Sequence, residues 1–214
     1  MNIAILGTGG VGRTIASHLA NRGLTVCMGS RSADNPVAVQ WASTAGSNAS
    51  HATFASAAAA SQLLFNCTSG QASLAALQSI PAADLSGKIL IDLANPLDYS
   101  SGSLRLTVCN TDSLGEQIQR ACPGARVVKA FNTMNAAVMV NPALVPGPHE
   151  LLLCGNDPAA KAEVSALLST WFGWQHILDL GDLTHARGME MLLPAWISIS
   201  QALGSYHFNF HIAR

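Results

Sequence analysis

Charge is scarce in this chain. Only 11% of its 214 residues are charged and the formal net charge is −1, so it has no basic field for nucleic acid and no polybasic patch for an anionic membrane surface. Long apolar runs are also missing. Hydrophobic residues make up 49% of the sequence, yet Gly, Pro, Asn and Ser interrupt them well short of the roughly 20 apolar residues of a membrane span. The first strand pattern starts almost at Met1, leaving no room for a signal peptide, and a cytoplasmic protein is expected. Five cysteines have no metal-like spacing and read as reduced thiols, several in strands; no metal site is expected. There is no Gly-x-Ser-x-Gly elbow, no His-Glu-x-x-His, no Cys-x-x-Cys and no lysine of a P-loop after the glycines. Hydrolytic nucleophiles, zinc proteolysis and nucleotide triphosphate hydrolysis thereby lose their usual sequence signals.

What is present begins at once. Ile3 to Leu6 is an apolar strand, followed by Gly7-Thr8-Gly9-Gly10-Val11-Gly12 and then a helical pattern with Ile15 and Leu19 on the same face as Val11. Each glycine of Gly-x-Gly-x-x-Gly has a physical task in a dinucleotide site. Gly7 permits the sharp turn, Gly9 lets backbone approach a pyrophosphate, and Gly12 lets helix and strand pack closely. The phosphates would rest on free amides at the helix N-terminus, with Gly7 through Gly12 as cofactor contacts.

The ribose-reading position lies at the end of the second apolar run, Leu24 to Met28. An acid there would accept from the 2′-hydroxyl of NAD and repel a 2′-phosphate. This chain instead has Ser30 and Arg31, which supply donors and positive charge and so predict NADP(H). Asp34 is close enough in sequence to compete for Arg31.

Further along, helices are expected over 36–45, 72–79, 112–121 and 157–171, with a short helix or a loop over 52–61. Strands are expected over 63–67, 88–93, 126–131, 150–154 and 175–180. The alternation predicts a Rossmann-type, doubly wound α/β domain over 1–182 with a mainly parallel sheet and right-handed crossovers. Residues 183–214 form a helical extension packing on the same domain, with Pro194 expected to kink or break it. His207, Phe208, Phe210 and His211 alternate as a terminal strand would. The irregular stretch 98–110 is long enough to be a substrate loop or a plain surface excursion.

Ligands of open parallel sheets bind beyond the carboxyl ends of the strands, which here carry Thr68, Asn95 and Asn132. These residues can hold ribose and carboxamide without titrating near neutrality, which suits hydride transfer. Of the groups that could donate a proton, only His185 and Lys129 are on offer. The cluster His185, Arg187 and Glu190 reads more readily as solvated charge on a helix start than as catalytic machinery. The apolar run 189–199 with Trp196 exceeds what a peripheral helix must cover and predicts a homodimer.

Gly7 to Gly12, Gly29-Ser30-Arg31, Asp92 to Pro96 and Lys129 to Thr133 together resemble the NADPH-dependent reductase family of the deazaflavin coenzyme F420. The run Ala186 to Glu190 leading into Leu192 to Trp196 is also similar to the reductase domain of six-transmembrane ferric reductases. The resemblance implies hydride exchange between NADP(H) and F420 or a flavin, and a dimer. By motif position its cofactor contacts fall on Thr8, Gly9, Ser30 and Arg31, and then on Thr68, Asn95 and Asn132. Deazaflavin-specific members tend to carry a histidine where this chain has Asn132, the candidate on the substrate side of the nicotinamide. The chain thus resembles a broader subgroup with a small-molecule electron acceptor that the motifs do not name. A non-catalytic NADPH sensor and a reductase of a small ketone or imine are the alternatives.

Overall fold

The structure, a computed structural model, describes residues 1–213. In chain order its elements are β1 (Asn2–Leu6), α1 (Gly10–Asn21), β2 (Thr25–Ser30), α2 (Pro36–Ala45), β3 (Ala49–Thr53), α3 (Phe54–Ala59), β4 (Leu63–Asn66) and α4 (Gly70–Gln78). There follow α5 (Ala82–Leu85), β5 (Ile89–Asp92), β6 (Leu97–Asp98), β7 (Arg105–Leu106), α6 (Leu114–Ala121), β8 (Arg126–Ala130) and α7 (Ala136–Val140). The remainder is β9 (Leu151–Gly155), α8 (Pro158–Phe172), β10 (Ile177–Asp179) and α9 (Ala186–Leu203).

Eight strands form one sheet in the order β10-β9-β8-β5-β4-β1-β2-β3. All neighbours are parallel except β8 and β9, which run antiparallel. Every residue of β9 is buried, so its composition carries no trace of direction. The order reverses between β1 and β4, the switch point where a groove opens above the strand ends. Side chains alternate across the sheet and feed two cores. Ile3, Ile5, Phe65 and Ile91 pack with α1, α7 and α8 on one face, while Leu6, Leu64, Leu90 and Val127 pack with α3, α4, α6 and α9 on the other. Burial of each such Leu, Ile or Phe contributes about 1.5–3 kcal/mol relative to exposure.

Local chemistry explains most helix starts. Asn35, Ser113 and Asp157 accept hydrogen bonds from the first-turn amides of α2, α6 and α8, and Pro36 and Pro158 occupy first positions where no N–H is needed. Edge strand β3, with the sequence Ala-Ser-His-Ala-Thr, is a correction to the expected helix or loop over 52–61, which forms as a helix only from Phe54. Only Thr53 in its composition favours a strand, and its pairing with β2 through Val26 to Ser30 decides the conformation.

Two expectations about the last segment change. The expected break at Pro194 does not occur: helix α9 is continuous from Ala186 to Leu203, with its apolar face, Met189, Leu193 and Trp196, buried against the body. Residues 207–211 form no strand; Glu150 N–H donates to the Phe210 carbonyl at 3.0 Å, and the Asn209 amide donates to the Glu150 carbonyl at 2.9 Å. Trp196 is stacked on Tyr206 and Phe208, so the tail of the same chain covers much of the apolar surface that predicted a dimer. Among the described residues no helix is long and apolar enough to cross a membrane.

Candidate functional site

The turn after β1 has the geometry its glycines require. Gly7 has φ +120°, a backbone conformation that L side chains rarely adopt, and a Cβ on Gly12 would come within 2.2 Å of the Gly7 carbonyl oxygen. Gly9 differs, since a Cβ there would meet nothing within 4 Å and would enter open space. That space belongs to a cavity of about 700 Å³ lined by Gly7, Thr8, Gly9, Ser30, Arg31 and Thr68, among others. Helix α1 starts at its edge with no side-chain cap and no acid in its first turn, so its amide donors and positive dipole end have no competing partner. Helix α4 likewise starts uncapped at Ser69, beside the same groove.

At the adenosine end, the Ser30 hydroxyl donates to the Ser32 carbonyl at 2.5 Å and its oxygen keeps lone pairs for another donor. Asp34 bonds to the Ser32 hydroxyl, and no ion pair forms between Asp34 and Arg31. Arg31 is exposed on the cavity wall. A dinucleotide bearing a 2′-phosphate therefore fits these residues: a cradle without Cβ at Gly9, an uncapped helix start, and a guanidinium at the ribose position.

A second cavity of about 620 Å³ shares Cys67, Thr68 and Ser69 with the first and continues past Val11, Leu93, Asn95 and Leu97 to Tyr99. Cys67 forms part of both linings; burial, aided by the charge of Asp92, pushes its thiol well above its ordinary value, so it stays protonated and unreactive. The expected irregular stretch 98–110 contains a small hairpin, β6 paired with β7, that borders this cavity.

Of the residues expected to contact the cofactor, Gly7, Thr8, Gly9, Ser30 and Arg31 line the first cavity, Val11 and Asn95 the second, and Thr68 both. Gly12 is buried under the turn. Gly10 opens instead on a separate depression with Arg13 and His18. Asn132 lines neither cavity. It lies one layer behind, 2% exposed, with its amide nitrogen donating to Asn95 Oδ1 at 2.9 Å and to the Met189 carbonyl at 3.1 Å. The Asn95 amide returns a bond to the Asn132 carbonyl at 2.8 Å. The preceding residue Phe131 has φ +66°, an uncommon and strained conformation for a bulky side chain, and this turn brings Asn132 under Asn95.

Beneath the groove lies a charge network that the sequence reading dispersed. Asn66, Asp92 and Lys129 are register partners across β4, β5 and β8, so their side chains stand in a row on one face. Lys129 is fully buried and pairs with Asp92 at 2.7 Å and Glu190 at 2.8 Å. Burial alone would lower its pKa, but the two carboxylates outweigh it and hold the ammonium charged. Glu190 also accepts from the amides of Leu114 and Gly115 at 2.8 and 3.0 Å, where the N-terminal dipole of α6 offsets the second negative charge. From Asp92 the network continues through Asn66 to the Thr68 hydroxyl, reaching the groove. Glu190 is thus not a solvated helix charge. It sits 75 residues beyond Gly115 in sequence, and no local pattern announces the contact. Arg187 pairs instead with Glu116 at 2.6 Å, and His185 is exposed. Neither Lys129 nor His185 lines either cavity as a proton donor.

A groove at the switch point, an uncapped helix start and a guanidinium at the end of β2 have the form of a Rossmann-type dinucleotide site. A family model described as NADP oxidoreductase, coenzyme F420-dependent, matches residues 2–96. The chain is 51% identical to a crystal structure from Arthrobacter sp. FB24, provisionally named an F420-dependent NADP-reductase, with TM-score 0.95 and 100% of both chains covered. It belongs to the coenzyme F420-dependent NADP oxidoreductase family. The F420-dependent NADP reductase of Methanothermobacter marburgensis is 29% identical over 94% of this chain and 92% of its own length. Metalloreductase STEAP3 of Rattus norvegicus is 32% identical over 97% of this chain, which spans 41% of that protein. A reductive aminase from Aspergillus terreus in complex with NADPH, 23% identical with TM-score 0.65 over 95% of this chain and 62% of its own, shares the fold.

The nucleotide preference is testable at one residue. Arg31→Ala should weaken NADPH binding by roughly 10- to 150-fold, the loss of a charge-assisted hydrogen bond of about 1.5–3 kcal/mol, and leave NADH affinity unchanged. Titration of both nucleotides checks this, and an unchanged NADPH:NADH ratio would remove Arg31 from the 2′-phosphate site.

Proposed function

We propose that this protein passes a hydride between NADPH and a planar electron acceptor, F420 or a flavin, bound in the cavity that continues from the dinucleotide groove. The observation that carries this reading is the character of that cavity, where an apolar strip of Val11, Leu93, Ala94, Leu97 and Tyr99 lies among the neutral polar groups of Thr68, Ser69, Gln71, Asn95 and Ser100, and the carboxylate, Asp98, is already committed to Arg105, Ser100 and Gln71. A ketone or imine substrate would need a proton donor poised near neutral pH, and Lys129 and His185 lie elsewhere. A flat ring that accepts hydride can take its accompanying proton from water. The names of the family and of its Methanothermobacter and Arthrobacter relatives support the same acceptor class.

In this reading Gly9 and the amides of α1 seat the pyrophosphate, Ser30 and Arg31 hold the 2′-phosphate, and Thr68 and Asn95 orient the nicotinamide end. Asn132 acts through Asn95 as a positioning residue. The nicotinamide supplies the hydride when bound, and the apolar wall keeps water from the transfer. The protein acts in the cytoplasm as a homodimer, with exposed Met191, Ile199 and Leu203 of α9 as the contact surface. The test is NADPH oxidation followed by absorbance against F420, FMN, FAD, ferric chelates and small carbonyls. Turnover with a planar carrier is expected. Turnover with only a ketone or imine would replace the reading, and nucleotide binding with no turnover would make the protein a sensor.

A further inference from the structure

Tyr99 lines the second cavity and is 57% exposed, directly after β6 where the loop of the β6 and β7 hairpin begins. Exposed aromatic side chains in loops are often mobile, but the backbone under this one is held from several directions. Asp98, the preceding residue, accepts from the Ser100 amide at 2.9 Å, the Ser100 hydroxyl at 3.0 Å, Arg105 Nε at 2.6 Å and Gln71 Nε2 at 3.1 Å. These bonds, led by the Ser100 amide, hold the Asp98 carboxyl down at about 2, so they persist across the physiological range. Gln71 belongs to α4, so the hairpin is tied to the helix that starts at the groove. At its base the Thr107 amide donates to the Pro96 carbonyl at 2.7 Å, next to Asn95. A well-held hairpin thus carries an aromatic ring whose burial contributes little to the core, beside a cavity with no other aromatic residue in its lining.

We propose that Tyr99 is the specificity-determining residue for the acceptor, its ring face closing the second cavity against a flat heteroaromatic ring. Aromatic faces stack on planar rings in offset geometry and give nothing comparable to a small branched carbonyl compound. A rigid platform favours binding because little side-chain and loop entropy is lost when the ring lands. This inference rests on the planar-acceptor reading above and names the residue that would select such an acceptor.

The experiment titrates FMN and, separately, F420 by their own fluorescence into NADP⁺-saturated protein, for wild type, Tyr99→Ala and Tyr99→Phe. Melting temperature and NADPH affinity are measured on each. Tyr99→Ala should weaken whichever carrier binds by about tenfold, equivalent to ~1.4 kcal/mol. Tyr99→Phe should stay within about twofold of wild type, because it keeps the face and removes only the hydroxyl. Melting temperature and NADPH affinity should hardly move, since the side chain is largely exposed and belongs to neither core cluster. Equal carrier affinity in wild type and Tyr99→Ala would overturn the role of Tyr99 and leave the acceptor reading intact. Loss on Tyr99→Phe as large as on Tyr99→Ala would assign the effect to the phenol hydroxyl and overturn stacking. Binding of neither carrier by wild type would overturn both readings.

Discussion

Gly9→Val should give a folded protein that has lost at least roughly 100-fold in NADPH affinity, the equivalent of two charge-assisted hydrogen bonds. The side chain would project into the cavity where no protein atom lies within 4 Å of the Cβ position. The Gly9 backbone, at φ −70° and extended ψ, accepts a β-branched residue, so the melting temperature should stay near wild type. Gly12→Ala, in the same motif, has the opposite expectation. Its Cβ would press to 2.2 Å from the Gly7 carbonyl oxygen, which is backbone and cannot rotate away. Overpacking of this kind costs about 1–3 kcal/mol and should lower the melting temperature by roughly 2–12 °C. Thermal melts paired with NADPH titration separate the two. A Gly9→Val protein that binds normally would show that phosphates lie elsewhere, and a Gly12→Ala protein of wild-type stability would show that helix and turn are not so closely apposed.

Lys129→Met should be the more damaging change to stability. It removes the one cation between Asp92 and Glu190 and leaves two buried carboxylates, a loss of about 3–5 kcal/mol or roughly 6–20 °C in melting temperature. The pH dependence has a definite sign. Burial raises the Glu190 pKa above its ordinary value, with Lys129 opposing that rise. A carboxyl whose folded pKa is raised favours the folded state below its unfolded value and loses that advantage as pH climbs through the folded one. Without Lys129 the rise is larger, so the deficit of the variant should shrink in mild acid and grow toward neutrality. Denaturant unfolding at pH 5 and pH 8 measures it. A deficit independent of pH would mean that the loss comes from packing of the lysine stem and not from charge.

The same network shows where legibility in the sequence stops. The turn from Gly7 to Gly12, the strands at Leu63 and Ile89, and the Asp157-Pro158 helix start were all readable, because glycine conformation, short apolar runs and capping act over a few residues. Ser30 and Arg31 were readable as groove residues at the end of the second strand because the motif fixes their distance from the glycines. Strand β3 was not, since its small and polar residues, Thr53 apart, have no strand preference of their own and take it from hydrogen bonds to β2. The antiparallel direction of β9 was equally silent.

What the sequence by itself determined is the class of fold, the glycine turn and NADP(H) as the class of cofactor, all of them read from contiguous segments. Only the tertiary structure decided that Glu190 is the buried partner of Lys129, that Asn132 stands behind Asn95, and that Tyr99 lines the second cavity. Each of these depends on residues dozens of positions apart meeting across the sheet. Their polar side chains look alike in sequence whether solvated or paired, and it is burial among particular neighbours that gives each its charge state and its place.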